Sequence, residues 1–220
     1  MTTTSRPTDA PPRAVQFPAV PYDTAASFTG AYLDELAQAA ASIDPDSLDR
    51  ATDILLEAYT RGNLVFSCGN GGSAAVANHL QCDHLKGVRT GTDLEPRVVS
   101  LCSNVELLTA IANDLGYDDS FAYQLRAQSK PGDALIAISS SGRSPNILHA
   151  LQWARDNGLR TIALTGFDGG GAREIAEIAI HVDSGNYGVV EDLHQSVMHA
   201  MAQYIRQTRM SADAIASSTF

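Results

Sequence analysis

Residues 63–73 read NLVFSCGNGGS and residues 133–144 read DALIAISSSGRS. Each is a short apolar run that breaks at once into a loop of small polar residues, after which helical spacing resumes. Such a run is too short for a buried helix and does not alternate, so it predicts a strand covered on both faces. The same rhythm extends outward from these two stretches. Apolar side chains fall at helical spacing over residues 23–43, 45–60, 73–86, 104–113, 118–128 and 145–157. Further apolar strands are read at 97–101, 160–165 and 178–182. Pro145 suits a first helical turn and Gly158 a C-cap. Five strands alternating with helices predict an α/β fold, a three-layer α/β/α sandwich doubly wound on a five-stranded parallel sheet. The N-terminal helices are then free for packing between copies of the chain.

In such sheets ligands lie beyond the carboxyl ends of the strands. The GNGGS and SSSGRS loops both fall at that edge. Each delivers backbone N–H groups and hydroxyls at a helix N-terminus, where the dipole and unpaired donors favour an anion. Glycine and serine also make ordinary tight β–α turns, but two such loops at one edge point to a phosphate cradle. Neither loop is a Walker loop, which needs Lys-Ser/Thr, nor a GxGxxG fingerprint. The 220 residues carry 15 Lys+Arg against 25 Asp+Glu, a net charge of −10. That balance disfavours binding to nucleic-acid backbones. No apolar run is long enough to span a membrane. Three cysteines without CxxC spacing, Cys68, Cys82 and Cys102, argue against a disulfide framework and for a reducing cytoplasm. Residues 1–21 hold five of the nine prolines and read as a disordered tail. Residues 211–220 read as a flexible C-terminus, which leaves 22–210 as one domain.

Five separated motifs resemble the sugar isomerase (SIS) domain family of phosphosugar-binding proteins. They are SCGNGGS (67–73), AND (112–114), ISSSGRS (138–144), LTGFDGG (164–170) and EDLHQSVMH (191–199). In this order they resemble the phosphoheptose isomerase branch. The resemblance implies a cytoplasmic homotetramer with active sites between subunits, a divalent metal, usually zinc, and interconversion of a ketoheptose phosphate with its aldose. It places Asn70, Gly71, Gly72, Ser73, Asn113 and Asp114 on the substrate, with Ser139, Ser140, Ser141 and Ser144 holding its phosphate. It places His79, Asp83, Glu191 and His199 on the metal, with Asp83 or Glu191 as base and His199 as partner acid. Arg143 stands where the family commonly has Asn.

Two departures fall inside that set. Asp83 stands where the family has Glu, one methylene shorter, and Glu191 where it has Gln. The aldose is the manno epimer if Asp83 keeps the proton transfer, and the altro epimer if Glu191 takes it from the other face. Spacing raises an objection as well. Eight residues of continuous helix separate Glu191 from His199 by ~12 Å and ~80°. Glu191 must then precede the helix start, or the two serve different subunits' sites. His194 is a rival ligand, His84 is expected at a surface or interface, and Cys68 and Cys82 are expected in the core. Two other readings compete with catalysis. A non-catalytic member of the family, binding a phosphosugar or a protein, would lack the histidine–carboxylate set. A phosphosugar-sensing transcriptional regulator would need a basic DNA-binding module, which the acidic N-terminus does not offer.

Overall fold

The computed structural model describes residues 17–220; most of the expected N-terminal tail, residues 1–16, lies outside it. Two helices lead, α1 (Ala25–Ala40) and α2 (Pro45–Arg61). Thr24 opens α1 with a capping box, and Asp44 followed by Pro45 opens α2. The sheet strands are β1 (Leu64–Gly69), β2 (Arg97–Ser100), β3 (Ala134–Ser139), β4 (Arg160–Thr165) and β5 (Ile178–His181). All pair in parallel, in the order β2-β1-β3-β4-β5. Between and after them run α3 (Gly72–Cys82), α4 (Val105–Asp114), α5 (Ser120–Gln128), α6 (Pro145–Asp156), α7 (Gly170–Ile175), α8 (Tyr187–Gln207) and α9 (Ala212–Ser217).

The layers follow from the handedness of β–α–β crossovers. The step from β1 to β2 runs opposite to the later steps, so its helix α3 lies with α2 and α8 on one face. Helices α4 to α7 take the other face, with α6 packed on β3 and β4. Every residue of β3 is buried, as the unbroken apolar pattern requires. The direction of winding reverses between β1 and β3, which opens a crevice at their carboxyl ends. That crevice lies between the GNGGS and SSSGRS loops.

Several expectations are corrected. Helix α3 does not run on to Lys86. At Asp83 it passes into a π-helical turn, Asp83–Val88. The wider turn breaks the 100° rotation per residue and sends His84 inward, where it is 1% exposed and Nδ1 meets the Tyr59 hydroxyl at 2.5 Å. Burial pushes the His84 pKa down to about 4. Cys82 is exposed because it lies off the face of α3 that carries Val76, Ala77 and Leu80 into the core; Cys68 and Cys102 are buried, and all three are free. At the edge of the expected tail, Phe17 packs against Tyr22, Phe28 and Tyr32. Its carbonyl accepts from Asn186 Nδ2 at 3.1 Å. Within 211–220, Ser211 caps α9, and the Arg206 guanidinium sits 4.7 Å from the Phe220 ring. The glycine-rich start of α7 gave no periodic signal in the sequence.

Candidate active site

The β1/β3 crevice is a cleft of about 150 Å³. Asn70 and Ser73 enter from the β1 loop, Ser139, Ser140, Ser141 and Ser144 from the β3 loop, and Tyr187 and Glu191 from α8. Gly71 turns the first loop into α3 with φ +56°, which side-chain-bearing residues rarely adopt. Asn70 is clamped by reciprocal amide bonds to Asn146 at 2.9 and 3.0 Å, and its Oδ1 also accepts from the Tyr117 hydroxyl at 2.7 Å. Gly142, at φ +63°, stacks the serine loop on the GFDGG loop, and a Cβ there would lie 2.6 Å from the Gly169 carbonyl carbon. Arg143 pairs with Asp168 across these two loops. The hydrogen bond from Arg143, above all, holds the Asp168 carboxyl below its ordinary range. The Ser140 Oγ is buried with no hydrogen-bond partner among the described residues. A buried hydroxyl is costly to leave unpaired, so a polar ligand accepting from it fits the cleft.

Glu191 reaches from α8 to the start of α3. A Cβ on Gly72 would lie 2.6 Å from the Glu191 carboxyl carbon, so the absent side chain is what admits this carboxylate. Burial, and then the neighbouring Asp192 charge, raise the Glu191 pKa. Asp192 accepts from the Tyr32 hydroxyl at 2.6 Å and ties α8 to α1.

A second constellation lies further along the same two helices. His79 and Asp83, one turn apart near the end of α3, share a face. His79 Nε2 is 3.2 Å from Asp83 Oδ1, and His199 Nδ1 on α8 is 2.6 Å from Asp83 Oδ2. The two imidazoles meet edge to face, with centroids 4.9 Å apart. One donor atom from each residue lies within 4.8 Å of the others. Two imidazoles and a carboxylate, half open to solvent, fit a catalytic divalent site, in which three protein ligands leave a position for water or substrate.

The structure thus brings together three of the four expected ligands. Glu191 lies outside that group, among the cleft residues. Helix α8 begins at Tyr187, capped by Asn186, which accepts from the Val189 amide at 3.1 Å. Glu191 is therefore inside the helix, and the late helix start that would bring it to His199 does not occur. Asn113 and Asp114, at the end of α4, bond each other at 2.7 Å and do not line the cleft of a single chain. His194 is fully buried beside Thr165, away from the histidine group, and desolvation lowers its pKa to about 4. Asn146, Tyr117 and Tyr187 were not read from the sequence as site residues. Asn146 directly follows the SSSGRSP stretch and could have been read with it. The Tyr117 contact joins elements 47 residues apart and carries no local signal.

Fold and cleft together define a class. Residues 31–166 match the family described as SIS domain. The phosphoheptose isomerase of Alteromonas mediterranea is 37% identical over 178 residues, 80% of this chain and 89% of the relative. That of Aliarcobacter butzleri is 39% identical over 73% of this chain and 84% of its own length. The solved phosphoheptose isomerase from Neisseria gonorrhoeae superposes with a TM-score of 0.77 at 30% identity, covering 84% of this chain and all of that one. The chain belongs to the phosphoheptose isomerase family of SIS-domain proteins, a family of aldose–ketose isomerases.

Proposed function

We propose that the protein interconverts sedoheptulose 7-phosphate with a D-glycero-D-heptose 7-phosphate, a step of heptose biosynthesis. The observation that carries this reading is the pairing of two poles on one helix pair. At one pole lies the serine cleft with its unpartnered Ser140 hydroxyl. At the other, about 12 Å along α8, lie His79, Asp83 and His199. An extended seven-carbon chain spans roughly 10 Å from phosphorus to C1. With its phosphate in the serine loop, it presents C1 and C2 to the histidine pole. Binding energy at the remote phosphate then orients the reacting carbons.

Isomerisation moves a proton between C1 and C2 through an enediol and needs a base beside both carbons. Asp83 is the carboxylate at that pole, and its hydrogen bond with His199 fixes its rotamer. His79, Asp83 and His199 would hold a divalent ion, zinc by donor type, which would polarise the oxygens on C1 and C2. A second reading assigns the proton transfer to Glu191, favoured by its carboxylate facing the cleft and its raised pKa. On the first reading the product is the manno epimer; on the second it is the altro epimer.

The expected homotetramer with shared sites is part of the proposal. The cleft of one chain is smaller than the ~300 Å³ at which ligand pockets begin, and α1 leaves Phe28 and Leu33 exposed. Three free cysteines are consistent with a cytoplasmic location. Among the described residues no helix is long and apolar enough to cross a membrane. Incubation with sedoheptulose 7-phosphate, followed by NMR with and without a chelator, tests the reading. Turnover abolished by the chelator is expected. No aldose under any metal condition would move the protein to the non-catalytic class.

A further inference from the structure

Gln195 stands one helical turn before His199 on the same face of α8, and its Nε2 lies 2.8 Å from His199 Nε2. The other ring nitrogen, Nδ1, lies 2.6 Å from Asp83 Oδ2. The imidazole is therefore gripped at both nitrogens, by a carboxylate on one side and an amide on the other. A neutral imidazole carries one N–H. In the metal-free protein Nδ1 faces a pure acceptor, so the hydrogen sits on Nδ1 and Nε2 accepts from the Gln195 amide. Nδ1 is also the nitrogen turned toward the carboxylate that His79 shares. An ion held among these three residues would draw on the Nδ1 lone pair, which would leave the hydrogen on Nε2. That N–H then needs an acceptor, the usual requirement for a metal-bound histidine.

We propose that Gln195 is a positioning residue for the metal site, matching both tautomers of His199. Its amide nitrogen donates to Nε2 in the metal-free state. Turned by half a rotation about its last torsion, its amide oxygen accepts from Nε2–H when an ion occupies Nδ1. A carboxylate at this position would serve the loaded tautomer only, and a thioether would serve neither well. The inference rests on the reading that His79, Asp83 and His199 hold a divalent ion. It assigns a role to a residue outside that ligand set.

The test measures zinc affinity by competition with a chromophoric chelator, using the full chain as wild type, Gln195→Met, Gln195→Glu and His79→Ala. In parallel, NMR of protein with 15N-labelled histidine reads the His199 tautomer with and without zinc. The expected results are a switch from Nδ1–H to Nε2–H on zinc binding and a loss of affinity for Gln195→Met of roughly 10–100-fold. Gln195→Glu, equal in length and able to accept, should bind zinc at least as tightly as wild type, which separates the hydrogen bond from any packing defect in the Met variant. Wild-type affinity in Gln195→Met, with His79→Ala weakened, would overturn the inference and leave the metal site standing. A loaded protein that keeps Nδ1–H would overturn it too. Equal and negligible zinc binding by wild type and His79→Ala would remove the metal reading and the inference with it.

Discussion

Gly72→Ala adds one methyl group and asks whether the placement of Glu191 matters. The new Cβ would lie 2.6 Å from the Glu191 carboxyl carbon and 2.7 Å from Oε1. Comfortable contact between carbons begins at about 3.5 Å, so the carboxyl must retreat by about 1 Å. The backbone does not oppose the change, because Gly72 is absent from the positive-φ glycines and its neighbour here is the far end of a flexible side chain. Stability should therefore fall by less than about 1 kcal/mol, below the ~1–3 kcal/mol of overpacking a rigid core, because the neighbour can give way. Function should suffer far more, since a misplacement of about 1 Å among groups that position substrate can cost ~100-fold. The assay is kcat/KM on sedoheptulose 7-phosphate, with thermal melting as the control. In a Glu191→Ala background the same substitution should cost nothing further, because the clash has been removed. A Gly72→Ala enzyme within threefold of wild type, or an equal loss in both backgrounds, would refute the idea that the glycine exists to seat this carboxylate.

His79→Ala and His199→Ala should each abolish turnover and zinc uptake with little change in melting temperature; near wild-type rates in both would show the histidine pole to be misassigned. Ser140→Ala removes a hydroxyl that has no hydrogen-bond partner among the described residues. Its stability should hold or rise while KM increases by the equivalent of roughly 1.5–3 kcal/mol, and unchanged KM would move the phosphate elsewhere. Reaction in D2O should place deuterium at C2, and the product's coupling constants distinguish manno from altro; Glu191→Gln with full rate and the same epimer would leave the proton transfer to Asp83. Buried neutral His84 and His194 both have folded-state pKa values of about 4, below the ~6.5 of the unfolded chain. The unfolded state therefore binds more protons between pH 6.5 and 4. Their stabilisation is complete above pH 6.5 and is lost as pH falls, by about 1.4 kcal/mol per unit for each residue. Urea melts at pH 7 and 5 should show that loss, and equal stabilities would contradict it.

The five parallel strands and the two small-polar loops beside the crevice were legible because each is contiguous in sequence and has a physical signature: an apolar run, then glycine, serine and a helix start. The order of the strands was not. The histidine pole came from resemblance alone. No spacing rule ties His79 and Asp83 to His199, 116 residues beyond Asp83. His84 departs from its expected place because constant rotation per residue fails through a turn that widens, whereas Cys82, still inside α3, falls on a face that does not reach the core. Glu191 was grouped with His199 by motif, although helix arithmetic had already separated them, and the structure sides with the arithmetic. Gln195 could not be recognised beforehand. An i,i+4 glutamine and histidine mean little until the ring's other nitrogen is known to face a carboxylate.

The widened turn at Asp83–Val88 has a consequence for how this protein can change. Asp83 and His84 are adjacent in the chain yet face opposite ways, one toward His199 and the other into packing beneath Tyr59. Slipping the segment one way would strand the Asp83 carboxyl in the apolar surroundings of His84 and bring Cys82 against His79 and His199. Slipping it the other way would bring an imidazole there and put Leu85 beneath Tyr59. Single-residue insertions or deletions should therefore be poorly tolerated between His79 and Val88. The largely exposed stretch that follows, Arg89 to Asp93, ahead of the buried Leu94, should absorb them readily. Variation in length among functional descendants of this sequence would then be written on one side of Val88 and not the other.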